Sequence, residues 1–194
     1  MSKKYSYFFI FSILVFFFLF VSSSYLNTSD NIHQQGFNTK YNVYSVLKPA
    51  DLKFANEKVP NISHDVWERL DKELLKNIYW QSNTMLYFKR ANKYFPIIED
   101  ILAKNNIPDD FKYLALIESG FEYTVSPSGA AGFWQIMRGT AREYGLEVNY
   151  AIDERYNLKK STEAACKYLK KAYQEFGSWT MAAAAYNMGI NGVR

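Results

Sequence analysis

The sequence contains one cysteine and only two histidines among its 194 residues. A single thiol, Cys166, excludes an internal disulfide and any metal site built from several cysteines. Because Cys166 lies at helical spacing among apolar residues, the pattern predicts a buried structural thiol. His33 and His64 are the only histidines, so the chain has almost none of the side chains that a zinc centre or a Ser-His-Asp triad requires. We therefore expect neither a metal nor a cofactor.

The sequence also lacks a long block of like charge. Its formal net charge of +4 comes from scattered lysines, so the charge pattern gives no indication of nucleic-acid binding. Aromatic residues, by contrast, make up 18% of the chain. A carbohydrate-binding groove is one surface that favours such a composition, and a coding bias toward Phe and Tyr explains it equally well.

The N-terminal segment has the layout of a secretory signal. Lys3 and Lys4 precede an apolar run over residues 8–21, and serines follow at 22–24. The run is shorter than the roughly 20 residues that span a bilayer comfortably, although an uncleaved anchor is the alternative. We expect residues 1–24 to be a signal peptide or N-terminal anchor and the protein to be exported. Residues 25–60 are polar and aperiodic, which predicts a linker.

The remaining residues, 61–194, form a single domain with helical spacing of apolar residues. The pattern predicts helices over 63–78, 83–93, 96 to about 104, 110–118, 157–176 and 178 to about 187. Ser63 and Ser178 are the expected N-caps, Pro96 fits a first turn, and Gly177 is the expected C-cap. No alternating stretch predicts a strand. The expected fold class is all-α.

Glu118 is the candidate for acid–base chemistry. It shares a helix face with Phe111, Leu114 and Ala115, near the end of a helix that is expected to be buried. Poor solvation and the C-terminal end of the helix both disfavour a charged carboxylate, so its pKa should be raised. A carboxyl that stays protonated near neutral pH suits the general acid of glycosidic bond cleavage. The alternative is a glutamate that emerges into water.

Two further stretches pair aromatic rings with amides. A turn of small residues at 126–132 permits the close approach of a backbone or ligand, and Phe133, Trp134 and Gln135 follow it. Tyr186 and Asn187 close the last helix before Gly189. A ring beside an amide suits a sugar, which offers apolar faces and hydroxyl edges, whereas ordinary core packing of the rings is the alternative.

Three motifs, taken in order, resemble the lytic transglycosylase family, and within it the membrane-bound murein transglycosylase D branch. They are Glu-Ser-Gly-Phe at 118–121, Ser-Pro-Ser-Gly-Ala-Ala-Gly-Phe-Trp-Gln-Ile-Met at 126–137, and Ala-Tyr-Asn-Met-Gly at 185–189. The stretches 113–117, 153–155 and 161–165 are also similar, so the resemblance runs from about Val59 to the end of the chain.

This resemblance implies a lysozyme-like helical domain of the goose-type and lytic transglycosylase kind. It implies cleavage of the bond between N-acetylmuramic acid and N-acetylglucosamine in peptidoglycan glycan strands. Glu118 would protonate the leaving oxygen and then accept the proton of the muramoyl C6 hydroxyl, with help from the N-acetyl group. The product would end in 1,6-anhydromuramic acid, and no second carboxylate would be required.

The resemblance also assigns binding residues and a location. Ser126 would orient the reacting sugar, Gln135, Met137, Tyr186 and Asn187 would line the groove, and Tyr186 could hydrogen-bond Glu118. The expected partner is peptidoglycan, with no nucleic acid or metal. The expected location is the periplasm or cell envelope, and the N-terminal segment would provide any membrane association.

Two departures from the family pattern and two rival functions accompany this interpretation. Arg138 stands where the family usually has proline, and the chain stops at Arg194, so we expect a domain truncated at its C-terminal end.

A lysozyme-like hydrolase would need a second carboxylate, for which only Glu122 or Asp153 come into question. A noncatalytic peptidoglycan-binding module would keep the groove without the chemistry. Asp153, together with Arg155, is otherwise expected to brace the loop before the long helix.

Overall fold

Helices make up almost all of the regular structure in the computed structural model, which describes residues 45–59 and 63–194. The expected signal segment 1–24, most of the expected linker and residues 60–62 lie outside these described residues. Residues 46–194 form one unit. Within the described ranges, no helix combines the length and the apolar character needed to cross a membrane. The all-α prediction is confirmed for the domain.

The described chain contains one small hairpin and seven helices. The hairpin pairs β1 (Lys53–Phe54) with β2 (Glu57–Lys58). The helices are α1 (His64–Tyr79), α2 (Gln81–Lys104), α3 (Phe111–Ser119), α4 (Arg138–Glu143), α5 (Leu158–Phe176), α6 (Trp179–Met188) and α7 (Ile190–Val193), with a 3-10 turn at Glu154–Tyr156. Periodicity missed α4, α7 and the 3-10 turn because elements of three to six residues are too short to show a period.

The predicted helix start at Pro96 is wrong, because α2 runs unbroken from Gln81 to Lys104. Its buried residues Ala91, Ile98, Ile101 and Leu102 continue one stripe across the proline. Pro96 itself is exposed, so the carbonyl that loses its hydrogen bond faces water. Burial of a continuous apolar face therefore outweighs the local preference for a break.

The hairpin differs from the expected linker without regular structure. Its turn residues Ala55 and Asn56 both have positive φ, 51° and 64°, as in the tight turns that match strand twist. Ala55 is buried in the main core, and the Phe54 ring lies 5.2 Å from the ring of Phe111. Two-residue strands are too short to give an alternating pattern, so only their tertiary contacts reveal them.

Helix α5 is the centre of the domain and packs against both α2 and α6. Asn157 caps its start by accepting a hydrogen bond from the Lys160 amide, and Gly177 ends it at φ 67°. Ser178 then caps α6 as predicted. Cys166 is fully buried in α5, which confirms the structural thiol, and burial raises the pKa of this thiol to about 12. A thiol in this state is a poor nucleophile.

The predicted pair of Asp153 and Arg155 forms in the loop before α5, and Arg155 also holds the loop between α3 and α4, which the sequence did not indicate. Arg155 forms a bidentate pair with Asp153. One guanidinium nitrogen of Arg155 also donates hydrogen bonds to two carbonyls, those of Gly129 at 2.8 Å and Ile136 at 3.0 Å. Gly132 lies against the same segment, since an added Cβ would stand 2.0 Å from the Arg155 carbonyl oxygen. The backbone of the loop at Gly132 therefore packs directly against the backbone of Arg155.

Gly132→Ala should lower stability by about 2–4 kcal/mol, because the residue has φ of 77° and no room for a methyl group. Gly129→Ala is the matched control, since its φ is 87° but nothing lies within 4 Å of the added Cβ. That change should cost only about 1–2 kcal/mol. Urea denaturation of both variants measures the difference, and equal losses would contradict the close approach.

Candidate active site

Glu118 lies on α3, one residue before the helix ends. The helix buries Phe111, Leu114 and Ala115, which share a face with Glu118. The carboxyl is half-buried, and this burial raises its pKa above the ordinary 4.5, as the sequence predicts. Among the described residues, no hydrogen bond or ion pair favours its ionised form. The group is therefore suited to hold and release a proton.

The backbone that follows Glu118 is fixed by two side chains. Ser119 Oγ donates to the carbonyl of Phe133 at 2.8 Å. Arg90 of α2 donates to the carbonyl of Gly120 at 2.9 Å and pairs with Glu122 at 2.5 Å. No sequence pattern indicates Ser119 or Arg90 as positioning groups, because the carbonyls that they bind belong to other segments of the chain. Together they hold the end of α3 in one place.

Ser126 lies in the turn that opens the loop between α3 and α4. Its Oγ accepts a hydrogen bond from the Ala130 amide at 3.0 Å, and its own amide donates to the Ala130 carbonyl at 2.8 Å. The hydroxyl proton is left available for another acceptor. Ser126 is half-buried, so its hydroxyl is both fixed in position and accessible.

Gln135 serves as a strut of the same loop. Its side-chain nitrogen donates to the carbonyls of Thr124 and Gly132 at 3.1 and 3.0 Å. The residue has φ of 46°, a left-handed conformation that is uncommon for a residue with a side chain. Because both amide hydrogens have partners, only the side-chain oxygen is free to contact a ligand.

Tyr186 makes a different hydrogen bond from the predicted one. Its hydroxyl donates to the carbonyl of Trp134 at 2.7 Å, and among the described residues it has no hydrogen bond to Glu118. A phenol has one proton to give, and the buried carbonyl takes it. Burial of the hydroxyl, followed by the negative charge of Glu118, raises the pKa of Tyr186. The two groups are therefore near neighbours without being bonded.

Phe133 and Trp134 belong to the core and not to a sugar-binding surface. Their exposed fractions are 2% and 0%. The indole nitrogen of Trp134 donates to Thr162 Oγ1 of α5 at 2.8 Å, which satisfies its only polar atom. Core packing is thus the correct one of the two interpretations that the sequence left open.

A cleft of about 250 Å³ brings together four of the predicted binding residues, Gln135, Met137, Tyr186 and Asn187. Glu118 and Ser126 are outside its lining. The cleft also contains residues that the sequence did not single out: Ile136, Thr140, Tyr144, Ala164, Ala165, Tyr168, Met188 and Gly189. Tyr168 follows the small Ala164 and Ala165 by one helical turn, and this spacing was the available signal for it. Its hydroxyl donates to the Ala185 carbonyl at 2.6 Å.

Comparison with known proteins gives a match to the family "Transglycosylase SLT domain" over residues 95–194, just over half of the chain. The matched range contains Glu118, Ser126 and every residue of the cleft. The hairpin, α1 and the first half of α2 precede it.

Three relatives of known name are similar over about 60% of the chain. "Membrane-bound lytic murein transglycosylase D" of Escherichia coli, from strain K12 and from strain O6:H1, is 34% identical over 124 residues, which are 63% of this chain. A protein of Alteromonas sp. (strain M-1), named as a candidate tributyltin chloride resistance protein, is 31% identical over 117 residues, 59% of this chain and 56% of that protein. The match spans only 26% of the length of the Escherichia coli relatives.

Glu118→Gln should leave the folded protein equally or more stable at pH 7 and lose that advantage at pH 3. The folded-state pKa of Glu118 is raised, so the folded state binds the proton more tightly and stability falls as pH rises through the unfolded and then the folded pKa. Glutamine removes this cost. Thermal denaturation at the two pH values measures it, with the exposed Glu163→Gln as control. A native protein that is clearly more stable than Glu118→Gln at pH 7 would contradict the assignment.

Proposed function

Since the chain belongs to the transglycosylase SLT domain family, the lytic transglycosylases with a lysozyme-like helical fold, we propose that it cleaves peptidoglycan glycan strands with Glu118 as its acid and base. The names of the Escherichia coli relatives support murein as the substrate. The observation that carries the proposal is the half-buried carboxyl of Glu118, whose pKa is raised by burial and whose charge contributes to the raised pKa of Tyr186, a residue of the cleft.

The first step is donation of the Glu118 proton to the oxygen of the bond between N-acetylmuramic acid and N-acetylglucosamine. That oxygen must gain a proton as its bond to the anomeric carbon breaks. A carboxyl with a raised pKa retains the proton closer to neutral pH than an ordinary glutamate does. The N-acetyl group helps to stabilise the positive charge that develops on the sugar, as the family resemblance implies.

The second step is closure of the sugar on itself. The muramoyl C6 hydroxyl forms a bond to the anomeric carbon, and its proton passes to the Glu118 carboxylate. Glu118 is thereby restored, and the product is a 1,6-anhydro sugar formed without water. An internal hydroxyl is already held beside the reacting carbon, so it has a high effective concentration.

The engagement of the other acids favours this route over hydrolysis. An inverting hydrolase needs a second carboxylate, roughly 6.5–9.5 Å from the first, to activate water. Glu122 is paired with Arg90, while Asp153 is bound by Arg155, whose hydrogen bonds lower the pKa of its carboxyl. Both candidates therefore already serve ion pairs.

The substrate would lie along the cleft and past the Ser126 turn. Gln135, Met137, Tyr186 and Asn187 line the cleft, and the free proton of Ser126 is available to orient the reacting sugar. Tyr186 supports the site through the Trp134 carbonyl. Each of these five residues is proposed as a groove residue, and Glu118 alone as the catalytic one.

We also propose that the protein acts in the cell envelope. The basic and apolar N-terminal segment favours export, and the relatives' names describe membrane-bound proteins. A substrate outside the cytoplasm requires such a location. The segment would act as a signal peptide or an anchor, and 61–194 would be the catalytic domain.

Glu118→Gln should abolish cleavage of purified sacculi, with a loss of at least ~10²–10⁴-fold, because it removes proton transfer in both steps. Release of soluble muropeptides measures turnover. Cys166→Ala is the control, since Cys166 is buried in α5 and is not among the residues that line the cleft, and it should remain active with a modest loss of stability. Substantial turnover by Glu118→Gln would rule out Glu118 as the acid.

The released muropeptides should end in 1,6-anhydromuramic acid. Because no water is added, each should be about 18 Da lighter than its hydrolysed counterpart. Mass spectrometry of digested sacculi distinguishes the two. Ordinary reducing ends would show a hydrolase. Binding of the protein to sacculi without release of any muropeptide would show a noncatalytic peptidoglycan-binding module.

A further inference from the structure

The β1–β2 hairpin contacts the starting points of the two helices that carry the proposed site. The amide of Ala55 donates to Asp110 Oδ2 at 2.6 Å, immediately before α3. Glu57 reaches the start of α6, where its carboxylate accepts from Trp179 N at 2.6 Å, Ser178 Oγ at 2.7 Å and Thr180 N at 2.9 Å. Glu118 and Tyr186 lie at the opposite ends of these helices.

Glu57 is chemically suited to this contact. A carboxylate at a helix start satisfies free amides and interacts favourably with the helix dipole. Hydrogen bonds from the side chain and backbone of Thr180, with further ones from Ser178 and Trp179, lower the pKa of Glu57 to about 2. The carboxylate is therefore ionised over the whole neutral range, and its hydrogen bonds are charge-assisted.

Helix α6 is also held at its start by Trp179, whose ring stacks on that of Tyr173 at 4.1 Å and lies 5.5 Å from that of Phe111. Its fully buried residues are Ala182 and Ala185, and such small side chains bury little area and interlock weakly with neighbours. Beyond them, its hydrogen bonds to other elements come from Tyr186 to Trp134 and from Tyr168 to the Ala185 carbonyl, both near its far end. The ring contacts of Trp179 are weakly directional, whereas the hydrogen bonds to Glu57 require a defined geometry, so Glu57 is the group at this end that specifies the rotation of α6.

We propose that Glu57 is a positioning residue: by binding Ser178, Trp179 and Thr180, it fixes the rotation and axial position of α6 and so places Tyr186 and Asn187 in the cleft. This inference rests on the proposed function. Glu57 precedes the range that matches the family, 95–194. A segment outside that range thereby sets the geometry of the cleft inside it.

The test compares Glu57→Gln with Lys58→Gln in the otherwise full chain. Both changes remove one charge from the hairpin, but Lys58 is exposed and its side chain has no hydrogen bond or ion pair within the described residues. In Glu57→Gln, backbone amides of α6 should exchange with deuterium at least about tenfold faster while those of α5 keep their rates. The kcat for soluble glycan strands should fall at least about tenfold at a temperature where the protein stays folded. Lys58→Gln should change neither.

Thr180→Val provides a second variant that is milder and nearly isosteric. It removes the Thr180 hydroxyl, which helps to lower the pKa of Glu57, and leaves the backbone amides of Trp179 and Thr180 in place, so it should change both measurements in the same direction by a smaller factor. Because Thr180→Val keeps the Glu57 carboxylate, this variant can fold even where the loss of that carboxylate prevents folding. The proposal therefore stays testable if Glu57→Gln does not fold.

The outcomes separate the positioning role from a merely structural one. Uniformly faster exchange in α5 and α6, with an unchanged kcat, would make Glu57 a stabilising contact only and overturn the proposal. An unchanged kcat with local loosening of α6 would overturn it as well. If the native chain does not turn over glycan at all, the proposed function fails, whereas exchange limited to α6 would still support the placement of α6 by Glu57.

Discussion

The carbonyl groups of the loop between α3 and α4 impose the constraint on which the site depends. Part of this loop is buried, with Ala131, Phe133 and Trp134 almost inaccessible, and its own backbone bridges at Ala131 leave the carbonyls of Phe133 and Trp134 to other donors. Buried carbonyls need donors, and side chains from other elements supply them. Ser119 binds the carbonyl of Phe133, and Tyr186 binds that of Trp134. The loop carbonyls that its own bridges do not satisfy thus become the point at which side chains from α3 and α6 meet.

The same arrangement explains how a poorly solvated acid is kept in place. Ser119 directly follows Glu118, and Tyr186 lies close enough for the charge of Glu118 to affect its pKa. Both residues use their hydroxyls on the loop and leave the carboxyl without a partner. An acid with a hydrogen-bond donor beside it would have a lower pKa and a less available proton. Holding the neighbours of Glu118, and not Glu118 itself, suits a group that must gain and lose a proton.

Much of the fold follows from the sequence, since helical periodicity reports which face of a segment is buried. The stripe on α5, the caps at Gly177 and Ser178, the buried Cys166 and the apolar face around Glu118 are all local patterns. The prediction failed where a local sequence preference conflicted with tertiary packing. At Pro96 the proline preference predicted a break, but the continuous buried stripe from Ala91 to Leu102 keeps α2 intact.

For the candidate site, local sequence patterns were enough to identify the chemical groups: an acid on an apolar face, a turn of small residues, and rings paired with amides. Tertiary structure alone decided their partners. It placed Phe133 and Trp134 in the core, gave the Tyr186 proton to a carbonyl instead of Glu118, and brought Glu57 to α6 across 121 to 123 positions of chain. The reason is that periodicity encodes which side of an element is buried, whereas a hydrogen bond between distant residues leaves no periodic trace in either segment.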